Sequence, residues 1–193
     1  MSPKVKRLFL KYHGTLTSKL ASQFGINRAS LDYLVKKGEI TKDYPGVYIL
    51  KGDFPDEYFW RSNIYKGVYS HETVLFLYGY TNATPTTFDM TFKNGYHSPN
   101  LDKYFITAHY TNKWALGLSE MKIYTGNSVS IYNREITLCD IFRLNYPIDI
   151  WLRNEALQNY LKDPQRNLAR LSSYQKELKI SDKLTELIGV LNQ

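Results

Sequence analysis

Residues 14–50, GTLTSKLASQFGINRASLDYLVKKGEITKDYPGVYIL, decide the fold at the N-terminal end of this chain. Thr17 or Ser18 can cap a short helix over 19–24, with Leu20, Ala21 and Phe24 as its apolar side. Gly25 supplies the backbone freedom of a tight turn, and Ile26 plugs it. Asn27 suits the N-cap of a second helix, 28–37, whose Leu31, Leu34 and Val35 share one face. Gly38 ends that helix. Two β-prone runs, 39–42 and 47–50, then flank a Pro45-Gly46 turn, which predicts a hairpin. Upstream, Val5, Leu8, Phe9 and Tyr12 form one stripe of a further helix over 4–12, with Pro3 in its first turn. Two short helices joined at a glycine and followed by a hairpin make the pattern of a winged helix-turn-helix.

The charge agrees with that reading. Residues 1–51 hold ten Lys/Arg against three Asp/Glu, so the whole net charge of +7 lies there; the rest of the chain balances. A basic head on a neutral body points to a head that holds duplex DNA. The reader helix would present Asn27, Arg28, Ser30 and Tyr33 toward base edges. Arg28 suits guanine; Asn27 can reach adenine or simply cap. Thr17 and Ser18, at the start of the preceding helix, belong to the same DNA-binding set. Lys36 and Lys37 at the far end suit phosphate, as do Lys42 and Tyr44 near the wing tip.

The expected organisation is α+β: a winged helix-turn-helix over 1–51, then a mixed α/β domain over 52–193 with a small sheet and a helical tail. Helices are predicted over 56–65 and 70–78, the second with Ser70 as cap and Glu72 in its first turn. Strands are predicted over 67–69, 86–92 and 104–109, and a hairpin over 121–132. Helical periodicity returns at Arg134 and continues in three segments, 149–161, 165–177 and 181–191. Neither a leader-type apolar run nor a membrane-length one is present, which predicts a soluble, cytoplasmic protein.

Catalytic motifs are absent. No phosphate-binding glycine loop, nucleophile elbow or zinc-protease motif occurs. One cysteine excludes an internal disulfide, and Cys139 reads as a buried small hydrophobe. His97, His109 and Asp89 could meet at a metal, and Asp89, Glu120 and Lys122 could form a nuclease-like set; both are chance-level groupings. Glu72 is explained by the helix dipole and His71 by packing. The expectation is a non-enzyme with no cofactor and no metal. Two rivals remain: a winged regulator whose body binds a ligand or protein, and, more remotely, a metal-dependent nuclease.

Taken together, five segments resemble the AbiEi antitoxins, the regulator half of type IV abortive-infection toxin–antitoxin systems. They are GTLTSKL (14–20), GINRASLDYLVKKGEI (25–40), PGVYIL (45–50), GVYSHETVLFLYGYT (67–81) and EITLCDIFR (135–143). The resemblance implies a head that binds promoter inverted repeats of its own operon, two copies to a site, and represses transcription. It implies a body that counters a nucleotidyltransferase-like toxin without a stable complex. It marks Ser70, His71, Glu72, Thr73, Thr137 and Asp140 as body motif residues without giving them a role. Pro45 stands where the family often has a basic residue before the wing glycine, which shifts weight to Lys42 and the reader helix.

Overall fold

The computed structural model describes residues 1–144, 146–180 and 183–191. The chain divides into two compact units, Met1–Lys66 with Glu120–Val129, and Gly67–Ser119 with Ser130–Gln193.

In the first unit, helix α1 (Pro3–Lys11) starts at Ser2, whose hydroxyl accepts from the Val5 amide. Strand β1 (Thr15–Thr17) leads into α2 (Ser18–Gln23), then α3 (Arg28–Lys36). Strands β2 (Ile40–Tyr44) and β3 (Val47–Leu50) form the wing. The sheet order is β1-β3-β2, antiparallel throughout, with Leu16 opposite Tyr48. Strand β1 is an addition to the expected plan: three residues are too few to show alternation, and its partner lies beyond both helices. The apolar stripes converge as the spacing requires, Val5, Leu8 and Phe9 meeting Leu20, Ala21, Leu31, Leu34 and Tyr48 in one core.

The unit extends past the expected boundary at Lys51. Helix α4 (Glu57–Ile64) contributes Phe59 to the same core, where its ring stacks on Tyr12 with centroids 5.5 Å apart. Trp60 packs on Tyr44 at 4.7 Å. The outer part of a later hairpin, Glu120–Val129, also belongs here, because buried Asp56 accepts a 2.8 Å bond from the Asn127 amide.

A second sheet has five strands in the order β6-β5-β4-β8-β7, of which β7 and β8 run on into the Glu120–Val129 segment of the first unit. Its strands are β4 (Val68–Tyr69), β5 (Phe88–Lys93), β6 (Ile106–Thr111), β7 (Leu118–Lys122) and β8 (Ser128–Tyr132). Strand β5 pairs antiparallel with β4 and parallel with β6. Its Asp89, Met90, Thr91 and Phe92 are all buried. Helix α5 (His71–Leu77) follows β4 directly. After the sheet come α6 (Arg134–Ile141), α7 (Ile150–Lys162), α8 (Leu168–Leu178) and α9 (Lys183–Leu191). Helix α8 starts three residues later than its periodicity suggests, because the Asn167 side chain caps it. Ser181 and Asp182, the expected start of the last helix, lie outside the described residues. Leu75, Leu138, Cys139, Ile141, Leu157 and Tyr160 form the helical core. Among the described residues no helix is long and apolar enough to cross a membrane.

Two leucines test the first core. Leu31 is fully buried, whereas Leu10 is 60% exposed. Leu31→Ala should cost about 2–5 kcal/mol in urea unfolding, through lost transfer energy and the cavity left behind. Leu10→Ala should stay within about 0.5 kcal/mol. Equal losses would mean that the described core is not the stabilising one.

Candidate nucleic-acid interface

The reader helix owes its start to Asn27, whose Oδ1 accepts from the Ser30 amide and the Ser30 hydroxyl, both at 2.8 Å. The capping role is therefore in place, and Asn27 Nδ2 has no partner among the described residues. Arg28 is exposed, its side chain 66% open to solvent. Its Nε lies 3.6 Å from Asp32 Oδ2, while Lys42 Nζ of the wing lies 3.7 Å from Asp32 Oδ1. The Tyr48 hydroxyl donates to the same Oδ1 at 2.9 Å. Asp32 thus ties reader, wing and core together. It is absent from the candidate set drawn from the sequence, although an acid four residues after Arg28 on one helix face was a readable signal.

The remaining candidates separate onto different surfaces. Asn27, Ser30, Tyr33 and Lys37 line a groove of about 640 Å³ that Lys4 of α1 also borders. Tyr33 is 55% exposed, and Lys37 Nζ sits 4.9 Å above its ring. The Tyr33 phenol beside it holds the Lys37 ammonium above the usual lysine range. Lys36 is exposed.

Two residues of the set are corrected. Thr17 is fully buried; its hydroxyl caps α2 at the Leu20 amide and donates to Asn63 Oδ1, so it offers nothing to DNA. Tyr44 is half-buried against Trp60, and burial pushes its phenol up; it is wing packing, not a free tip. Ser18 is half-buried beneath the wing turn, where its amide donates to the Gly46 carbonyl at 2.7 Å. That approach explains the glycine: φ is +81°, and a Cβ would lie 2.8 Å from Ser18 Oγ.

In the second unit the Ser-His-Glu-Thr segment gathers partners distant in sequence. Ser70 does not cap α5 with its side chain; its hydroxyl instead meets His71 Nδ1 and accepts from Thr91, each at 2.9 Å. His71 starts the helix in the left-handed region, φ +47°. Its ring stacks on His109 with centroids 3.7 Å apart. His109 Nε2 is 2.8 Å from Asp89 Oδ1, and the Asp89 amide donates to Thr73 Oγ1 at 2.7 Å. Glu72 Oε1 accepts from the Tyr146 hydroxyl at 3.1 Å. Thr137 bonds back to the Asn133 carbonyl, and buried Asp140 pairs with Arg143 at 2.9 Å. Burial pushes Cys139 up to about 12, as expected of an inert thiol.

Of the metal and nuclease groupings, only Asp89 and His109 meet. His97 lies in the loop after β5, and Glu120 and Lys122 belong to the first unit while Asp89 belongs to the second. Among the described residues no three His, Cys, Asp or Glu are placed to hold a metal ion.

Comparison with known proteins adds two findings. Residues 3–51 match the family described as transcriptional regulator, AbiEi antitoxin. The crystal structure of RV2827C protein from Mycobacterium tuberculosis is similar, with a TM-score of 0.57 at 12% identity, covering 91% of this chain and 72% of that one. At that identity the likeness is one of fold. No curated protein matches the chain by sequence.

Burial, then the neighbouring His109 and Arg143, hold the His71 imidazole well below its usual range, so the ring is neutral in the fold. The unfolded chain takes up that proton below about pH 6.5. The contribution to stability is therefore present above that pH and lost as pH falls below it. Asp140, raised to about 6 by burial, acts in the opposite sense. His71→Asn keeps a residue that tolerates the left-handed backbone and removes the titration. Its unfolding free energy should fall less steeply from about pH 7 to about pH 5 than that of the wild type. An unchanged slope would show that His71 titrates within the fold.

Proposed function

From a head, residues 3–51, that belongs to the AbiEi antitoxin transcriptional regulators, we propose that this protein represses its own operon and neutralises that operon's toxin. The observation that carries the DNA-binding part is the open reader helix α3, with Arg28 exposed and linked through Asp32 to Lys42 of the wing. A helix at this position enters the major groove with its first turn toward the bases, and the wing follows the backbone. Arg28 reads a base edge, guanine suiting its fork. Asn27, Ser30 and Tyr33 flank it, and Lys36, Lys37 and Lys42 neutralise phosphates. The targets are inverted repeats in the promoter, each half-site taking one copy.

The antitoxin role is assigned to the second unit and is directed against a nucleotidyltransferase-like toxin, without a stable complex. The resemblance of residues 67–81 and 135–143 to the family supports this reading. The protein acts by binding, with no catalytic step of its own.

Two variants separate base reading from charge. Arg28→Ala should lose about 1–3 kcal/mol on the promoter repeat and much less on random duplex. Lys36→Ala should weaken both about equally and lower the salt slope by about one. Asp32→Asn should tighten random-duplex binding, by removing a negative charge near the phosphates, while loosening the hold on Arg28; the specificity ratio should fall. Electrophoretic mobility shifts across a salt series decide these points, and equal losses on both DNAs for Arg28→Ala would remove its reading role.

The two activities should also separate in cells. The full chain carrying Arg28→Ala, Lys36→Ala and Lys42→Ala should lose promoter repression in a reporter assay yet still rescue growth when the neighbouring toxin is induced. Failure of rescue by this folded variant would place the antitoxin role in the head.

A further inference from the structure

DNA reading makes no use of the Ser-His-Glu-Thr segment, and that segment borders a cavity. The cavity lies within the second unit and measures about 440 Å³, inside the range of small-ligand sites. Pro85, Pro147 and the Tyr146 ring give it apolar walls, and Glu72, Asp89 and His109 give it polar ones. Thr86, Thr87 and Thr107 also line it, the Thr87 and Thr107 hydroxyls bonded to each other at 2.7 Å. The Tyr146 hydroxyl spends its proton on Glu72 Oε1. Asp89 Oδ1 lies against His109 Nε2. Asp89 Oδ2 faces the Thr73 amide and hydroxyl, each at 3.4 Å. Glu72 Oε2 remains, an acceptor without a partner among the described residues. No lysine or arginine lines the cavity.

These features select the ligand. An anion would meet two carboxylates with no cation to offset them. Glu72, Asp89 and His109 are not placed to hold a metal ion together. A donor-rich cation with a short alkyl body matches both the acceptors and the apolar walls. Burial pushes the Glu72 carboxyl up, as expected of a carboxylate still short of a counter-charge. We propose that this cavity binds a small organic cation through a primary ammonium group, accepted by Glu72, with Tyr146 and the two prolines against its alkyl chain. The site is independent of the DNA-binding reading.

Isothermal titration of the full-length protein with putrescine tests it, with butanediol and succinate as neutral and anionic molecules of similar length. Saturable binding of putrescine alone is expected. Glu72→Gln should weaken it at least about tenfold, the loss of one charge-assisted hydrogen bond. Glu120→Gln, in the other unit, should leave it unchanged. Absence of putrescine binding, equal binding of butanediol, or an unaffected Glu72→Gln variant overturns the proposal. The carboxyl carbon chemical shift of Glu72, followed in the wild type during the titration, gives a reading that does not depend on any variant folding; an unmoved signal also overturns it.

Discussion

The Asp56 carboxylate is almost wholly buried, and the architecture of the first unit is organised around satisfying it. Oδ1 accepts from the Phe59 amide and so begins α4. Oδ2 accepts from the Asn127 amide and the Thr125 hydroxyl. The Asp56 backbone amide donates to Thr15 Oγ1, at the start of β1, and Asn127 Nδ2 also reaches the Tyr12 carbonyl at the end of α1. A buried charge is tolerable only when its lone pairs are filled, and removing a partner would leave it exposed to the full desolvation cost. Three segments distant in sequence, 12–15, 56–59 and 125–127, are held in one place by that requirement. The helix-turn-helix is thus mounted on a larger frame than its own three helices and wing.

On that frame the reader surface combines rigidity with loosely held charge. The buried stripe Leu31 and Leu34 fixes the rotation of α3, and the Asn27 cap fixes its first turn. Arg28, Lys36 and Lys37 are left on the outside, where long cationic side chains stay hydrated and mobile. Asp32 is the exception, an acid among cations. Exposed ion pairs of this kind add little to stability. Their value here is orientation, since an arginine held by a carboxylate presents its fork in a narrower range of directions. In the proposed DNA complex the acid opposes phosphate binding and trades some affinity for direction.

The second unit shows a different economy of polar groups. Ser70, His71, Thr73, Thr91 and Asp89 are all buried and joined in a continuous hydrogen-bonded set at the start of α5. The Glu-Ile-Thr-Leu-Cys-Asp helix is bound in the same way, with Glu135 accepting from Tyr160 and from the Asn167 amide. Such networks specify one arrangement, because any shift leaves a buried donor or acceptor unfilled. In the first set one side remains open, where Glu72, His109 and Tyr146 face the cavity.

Periodicity, caps and turn glycines were sufficient for the head: Asn27, Gly25 and the Leu31, Leu34 stripe are local signals, and local signals determine local elements. The uneven charge, readable by counting, set the basic head apart from the neutral body. The same local logic located β4, α5, β5, β8 and the helical tail within a few residues. What the sequence by itself could not decide was which distant groups meet. Nothing local distinguishes the Thr17 that is sealed under α4 from the Ser18 one residue on, or shows that Tyr44 turns toward Trp60. Ser70 has the composition of a cap, yet its hydroxyl is taken by Thr91 and His71, because those groups lie nearer than the helix amides and burial penalises leaving them unpaired. Asp89 and His109 stand on neighbouring strands whose parallel pairing follows a long connection, and no periodicity encodes that pairing. Local propensity acts through backbone dihedrals over a few residues, whereas the meeting of distant polar groups is settled only when the core closes and each must find a partner out of water.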